Sequence, residues 1–189
     1  MSIYGEEKAN EVLNTLQKCI RIGTVSSINP KDHTARIVFE DEGHNVSYDL
    51  PIIVPNTYDN SDYRMPDINE DVLCLFLPDG IEDGFILGSW YAGEIKPPCD
   101  NPEIRRVKFK DGTTISYNRA THELDVVIEG THIHADRQKV NVTTPQEVNI
   151  NTTNANITAS GNITMQSGGD TAITAGGNLT LQGANISLN

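Results

Sequence analysis

The C-terminal quarter of the chain carries apolar residues at alternating positions, and this pattern most limits what the chain can fold into. From residue 140 to the end of the 189-residue sequence, apolar residues occur in seven pairs with one residue between the two members, and successive pairs lie six to ten residues apart. The pairs are Val140/Val142, Val148/Ile150, Ala155/Ile157, Ile163/Met165, Ile173/Ala175, Leu179/Leu181 and Ile186/Leu188. This spacing predicts short strands with one apolar face, separated by turns of Gly, Asn, Ser or Thr.

The composition of the same region is unusual. Tyr117 is the last aromatic residue, Lys139 is the last basic residue, and residues 140–189 contain nine Asn and nine Thr. Such a composition also fits a disordered segment. Disorder would not space the Ile and Leu residues regularly, so ordered repeats are the favoured interpretation.

The repeat is too small to fold alone. Its few apolar side chains release less free energy on burial than ordering about fifty residues costs. A solenoid with three strands per coil would have little more than two coils, and such arrays need at least three repeats. Three chains wound together would pair every strand edge and bury the apolar faces on a common axis. We therefore expect a homotrimer.

The N-terminal half predicts a short helix followed by a small barrel. Val12, Leu13, Leu16 and Ile20 have helical spacing, so residues 1–19 are predicted to form a helix that lies on an apolar surface. Five strand-like segments follow within residues 20–91, at 20–28, 34–39, 47–54, 71–77 and 84–91. Five short strands favour an OB-fold barrel, with Pro51 at an edge or bulge and Cys74 in the core.

The complete domain organisation is predicted to be all-β apart from the helix. Residues 92–104 contain three prolines within six positions and predict an extended linker. Residues 105–189 would form the intertwined, trimeric β-helix.

Charge and cysteine content exclude several functions. Between Glu40 and Glu94 there are thirteen acidic residues and one basic residue, Arg64, which accounts for the whole net charge of −12. A surface that binds nucleic acid needs the opposite sign, so no nucleic-acid partner is expected. The sequence lacks a secretory signal pattern, and the three cysteines have no ligand or redox spacing, which favours reduced thiols in a protein made in the cytoplasm.

Four stretches of the chain resemble, in the same order, the baseplate assembly protein V family of contractile phage tails. They are residues 21–25 (Arg-Ile-Gly-Thr-Val), 71–76 (Asp-Val-Leu-Cys-Leu-Phe), 84–91 (Gly-Phe-Ile-Leu-Gly-Ser-Trp-Tyr) and 109–117 (Phe-Lys-Asp-Gly-Thr-Thr-Ile-Ser-Tyr). The tip proteins of type VI secretion are more distant relatives of that family.

The resemblance implies a structural protein at the baseplate of a virion or a bacteriocin-like particle. It would be a trimeric central spike that binds hub and baseplate proteins and pierces the target cell envelope when the sheath contracts. Its C-terminal end would be either blunt or covered by a separate tip protein, and the tip protein is the favoured alternative.

Metal binding and catalysis are not expected. Many members of that family hold iron through a His-x-His pair at the tip, whereas here His132 and His134 lie at the start of the repeat, 55 residues before the last residue. We interpret them as outward strand residues that flank an inward Ile133, and keep them as the only metal candidates. Paired acids such as Glu70/Asp71 and Glu82/Asp83 lie in predicted turns and do not predict an active site, so no enzyme and no cofactor are predicted.

The competing interpretation is an OB-fold module that binds a glycan or single-stranded nucleic acid and carries a disordered tail. Tyr48, Tyr58, Tyr63 and Trp90 could provide stacking surfaces for it.

Overall fold

The computed structural model describes residues 3–40, 43–78 and 80–187, and the chain divides into two compact units between Thr143 and Thr144. The first unit contains one helix and two antiparallel sheets. In the part of the chain that the structure describes, no helix is long and apolar enough to cross a bilayer.

The N-terminal helix forms over the predicted range but leaves its apolar stripe open. Helix α1 spans Ile3–Cys19 and contacts strands β1 (Ile20–Asn29) and β5 (Asp71–Leu77). Val12, Leu13 and Leu16 are each more than half exposed. The described residues therefore do not provide the apolar support that was expected for this stripe. Because no residue separates Cys19 from Ile20, there is no loop that could turn the helix back over the barrel.

The first sheet closes into an OB-like barrel. Besides β1 and β5 it contains four strands, which are β2 (Thr34–Phe39), β3 (Asn45–Val46), β4 (Leu50–Pro51) and β6 (Gly80–Ser89). The order is β3-β2-β1-β5-β6, and β4 also pairs with β2. Ile52 forms a parallel bridge with Ile86, and the Ile53 N–H donates to the Ile86 carbonyl at 2.9 Å. These contacts join the two edges of the sheet and complete the barrel.

Of the predicted third strand, 47–54, only Leu50–Pro51 forms a strand, β4, and β3 (Asn45–Val46) lies just before the predicted range. Between them, the Ser47 hydroxyl accepts a hydrogen bond from the Ile37 N–H at 2.9 Å, so a side chain replaces the backbone carbonyl of a regular ladder. Pro51 has no N–H and ends β4. The sequence pattern indicated a strand here but could not show that the side chain of Ser47 interrupts it.

Alternating residues of the strands fill the barrel. Phe39 and Phe76 meet edge to face with ring centroids 5.7 Å apart. Cys74 is fully buried, as predicted, and burial raises the pKa of its thiol to about 11. The buried apolar residues are Val25, Ala35, Ile37, Phe39, Leu50, Val72, Cys74, Phe76 and Ile86.

Strand β1 connects the two halves of the barrel because it bends. Its first half, from Ile20 to Thr24, pairs with β5, and its second half, from Thr24 to Asn29, pairs with β2. A register shift between Val25 and Ser27 marks a bulge, which lets one strand serve both neighbours. Gly23 lies just before the bend, where a Cβ would come within 2.5 Å of the Val38 carbonyl oxygen.

Gly23→Ala is expected to destabilise the barrel, because the added methyl group meets backbone that cannot move freely. We expect the free energy of unfolding to fall by about 1–3 kcal/mol. Urea unfolding followed by the fluorescence of Trp90, the single tryptophan of the chain, measures this. Ser27→Ala on the exposed side of β1 is the control, and equal stability of both variants would contradict the proposed close contact.

The second sheet is a meander of five antiparallel strands. They are β7 (Ile104–Lys108), β8 (Thr114–Asn118), β9 (Glu123–Ile128), β10 (Thr131–Ala135) and β11 (Val140–Thr143), in the order β11-β10-β9-β8-β7. Residues 105–143 of the predicted β-helix thus form local hairpins. The described residues 144–187 contain no strand, and no trimeric β-helix is present in the single chain.

Candidate functional site

The second sheet has one apolar and one polar face. Residues paired across neighbouring strands point to the same face, so the register assigns each side chain to a face. The apolar face consists of Val107, Ile115, Tyr117, Leu124, Val126, Ile128, Ile133, Ala135, Val140 and Val142, with Arg105 and Thr131 at its margins. The other face is mainly polar and consists of Ile104, Arg106, Lys108, Thr114, Ser116, Asn118, Glu123, Asp125, Val127, His132, His134, Asn141 and Thr143.

Among the described residues, most of the apolar face is open. Its larger side chains are exposed, from 39 % for Leu124 to 70 % for Val140, although Val126, Ile133 and Ala135 are partly buried. Five strands of four to six residues give this face an area of roughly 350 Å². An exposed apolar patch of that size on a soluble protein usually marks an interaction surface.

The second unit also leaves its apolar side chains exposed. Residues 144–187 are called the terminal segment here, and its apolar residues are exposed, reaching 80 % for Ile150 and 79 % for Ile157. Its described side-chain hydrogen bonds are local, such as the 3.1 Å bond from the Thr152 hydroxyl to the Asn154 carbonyl. Of the seven apolar pairs, only Val140/Val142 lies in a strand, and Leu188 lies outside the described residues.

Ile115→Asp is expected to prevent self-association through the apolar face. The isolated sheet tolerates the substitution because Ile115 is 43 % exposed, whereas covering the face with another chain would bury an unpaired carboxylate. Thr114→Asp is the matched control, since it places the same side chain one position away on the polar face opposite Lys108. Sedimentation velocity should show dissociation of the first variant only. Equal assembly of both variants would mean that other chains do not cover this face.

The polar face brings the two histidines of the sequence prediction together with two carboxylates. Nε2 of His132 lies 2.9 Å and Nδ1 of His134 lies 2.8 Å from Oδ1 of Asp125. Nε2 of His134 lies 3.3 Å from Oδ2 of Asp136. We call these four residues the histidine–aspartate cluster. Ile133 lies on the opposite, apolar face.

Hydrogen bonding sets the charge states in this cluster. The bonds from His134 and His132 lower the pKa of Asp125, and bonding to Asp125 and Asp136 raises the pKa of His134. The pKa of Asp136 is lowered first by the backbone N–H of Gln138, which donates to Oδ1 at 2.7 Å. Both carboxylates are therefore held in the ionised form.

The sequence interpretation named His132 and His134 but missed Asp125 and Asp136. The missing signal was the short connection between Ile128 and Thr131, which pairs His134 directly with Asp125. A hairpin drawn from that two-residue connection would have placed the carboxylate beside both histidines.

The other acidic pairs have local structural roles where they are described. Asp71 accepts a 2.9 Å hydrogen bond from the Thr24 hydroxyl, and Glu70 accepts one of 2.8 Å from the Asp67 N–H. The side chain of Glu82 lies outside the described part of the chain. The four proposed stacking residues are exposed, and Tyr63 packs against His33 with ring centroids 5.4 Å apart.

No protein-family model matches the chain, and no curated protein matches it.

Proposed function

We propose that this chain is the structural central spike of a contractile phage tail or bacteriocin-like particle, acting as a homotrimer and without catalysis. The observation that carries the proposal is the one-sided second sheet, whose apolar face lacks cover within its own chain. The alternating apolar pairs of the terminal segment also need cover, and they continue toward the C-terminus. The ordered resemblance of residues 21–25, 71–76, 84–91 and 109–117 supplies the biological role.

Three copies can cover the apolar face of the second sheet and pair the strands of the terminal segment in one arrangement. With the apolar faces turned toward a common axis, three sheets enclose one core, and strands of the terminal segment pair with those of the other chains. Two copies could cover the sheet, but they would leave edges of the short terminal strands unpaired. A closed cyclic trimer leaves no such edge and resists bending, as a shaft that transmits force requires.

The barrel and helix α1 form the docking end in this proposal. The exposed stripe of Val12, Leu13 and Leu16 offers an apolar surface for a hub or baseplate protein. The acidic region between Glu40 and Glu94 would favour a basic partner. The opposite end would bind a separate tip protein and enter the target cell envelope transiently. The particle would form in the bacterial cytoplasm.

The alternative, an OB-fold module for a glycan or single-stranded nucleic acid, lacks a supporting contact. Its stacking candidates lie on separate segments, with Tyr58 in the connection after β4 and Trp90 after β6. The acidic charge of the barrel repels phosphate. Binding of single-stranded DNA or cell-wall glycan by residues 20–91 would favour this alternative.

Ile157→Asp tests the proposed trimeric shaft. Because Ile157 is 79 % exposed in the single chain, the change costs almost nothing unless other chains cover that side chain. We expect the wild-type protein to run as a detergent-resistant trimer on an unboiled gel, and the variant to run as a monomer. Thr158→Asp, at the adjacent position of opposite orientation, should keep the trimer.

Protease digestion provides the second measurement. The chain has no basic residue after Lys139, so trypsin cannot cut the terminal segment and proteinase K is needed. The segment should resist digestion in the wild type and in Thr158→Asp, and be degraded in Ile157→Asp. Rapid digestion of the wild-type segment would contradict an intertwined shaft.

A further inference from the structure

The histidine–aspartate cluster offers three metal-ligand atoms from a single chain. Asp125 Oδ1, His132 Nε2 and His134 Nδ1 all lie within 4.8 Å of one another. All three residues lie on the polar face, on the two strands of one tight hairpin. We propose that Asp125, His132 and His134 bind one divalent transition-metal ion of the zinc type per chain.

The distances fit such an ion after small adjustments. Two ligand atoms at about 2.0–2.1 Å from zinc lie roughly 3.0–3.4 Å apart. The two nitrogen–oxygen distances, 2.9 and 2.8 Å, need to widen by only a few tenths of an ångström. The His132 side chain is 49 % exposed, so its ring can rotate to bring the third atom into place. Water would fill the remaining positions.

Asp136 completes the arrangement by orienting His134. Its carboxylate faces Nε2 of His134 and is held in place by the N–H groups of Gln138 and Lys139, at 2.7 and 2.9 Å from Oδ1. A proton on Nε2 of His134 leaves the lone pair of Nδ1 for a metal. A carboxylate behind a metal-bound imidazole is the usual way to fix its tautomer. Asp136 is therefore a positioning residue.

An ion would take the place of a proton in the cluster. Without an ion, a protonated His134 donates one N–H to each of its two carboxylates, and Asp125 Oδ1 can accept from both imidazoles. With a dication, Nδ1 of His134, Nε2 of His132 and Oδ1 of Asp125 all bind the metal, and Nε2–H of His134 bonds to Asp136. The positive charge also offsets the two carboxylates.

The surroundings leave room for the ion. The cross-strand neighbours of Asp125 and His134 are Ser116 and Asn141, which have short side chains without charge. Arg106 is the basic residue in the same cross-strand row, and it lies two strands away from Asp125, so their Cα atoms are roughly 10 Å apart. Its side chain donates a hydrogen bond to the Pro98 carbonyl. Two imidazoles and one carboxylate favour Zn²⁺, Ni²⁺ or Cu²⁺ over Mg²⁺ or Ca²⁺.

The site is independent of the proposed function, because one chain supplies every ligand. Its test uses the untagged, full-length chain with Cys19→Ser and Cys99→Ser, since these partly buried thiols are competing zinc ligands. After treatment with a chelator and its removal, calorimetric titration with ZnCl₂ should give one ion per chain. MgCl₂ should give no binding.

Variants identify the ligands. His132→Gln and His134→Gln should each weaken zinc binding at least tenfold. Asp136→Asn should weaken it about tenfold to a hundredfold without changing the stoichiometry. His122→Gln, in the turn between β8 and β9 and facing the Tyr117 hydroxyl, should leave binding unchanged.

X-ray absorption of the zinc-loaded parent chain should show two imidazoles among the ligands, which keeps the test valid if a variant misfolds. The proposal would be overturned if zinc did not saturate a site or if it bound with one ion per three chains. It would also be overturned if the double variant of His132 and His134 bound zinc with unchanged affinity, or if the spectrum lacked two imidazoles.

Discussion

The exposed apolar face of the second sheet is the constraint on which the proposed assembly depends. The three inner strands of the meander pair on both sides, but the sheet places ten apolar residues on one face, and most of them remain exposed among the described residues. The terminal segment then repeats the alternation and lacks strand partners of its own within the described residues. Both features have the same physical solution, since further copies of the chain supply apolar side chains and strand edges together.

The barrel differs because it satisfies these requirements alone. Strand β1 bends at its bulge and pairs on both sides, and the contact of Ile52 and Ile53 with Ile86 closes the sheet around a filled core. A barrel that buries its own core, followed by a sheet that needs other chains to cover it, is consistent with the proposed docking end and shaft. In the proposed trimer, the polar face of the second sheet with the histidine–aspartate cluster would point away from the common axis.

Sequence reasoning succeeded where local patterns decide the structure. The strand periodicity located β1, β2 and β5 and the buried Cys74, and the spacing of Val12, Leu13 and Leu16 located the helix. It failed where a particular contact decides the structure, as at Ser47, the start of the predicted third strand, where a side-chain hydroxyl replaces a ladder carbonyl between β3 and β4. Asp125 was missed because its role depends on the register of a hairpin. The pairing of the terminal segment involves other chains, so it stays a prediction.

The mass of the full-length protein in solution tests the central claim most directly. Multi-angle light scattering after size-exclusion chromatography should give three times the chain mass of 20.7 kDa, unchanged on dilution. A monomer would mean that the apolar face and the terminal segment remain uncovered, which contradicts the account. A dimer would mean that the face is covered as a two-sheet sandwich, and the intertwined trimeric shaft would then be wrong.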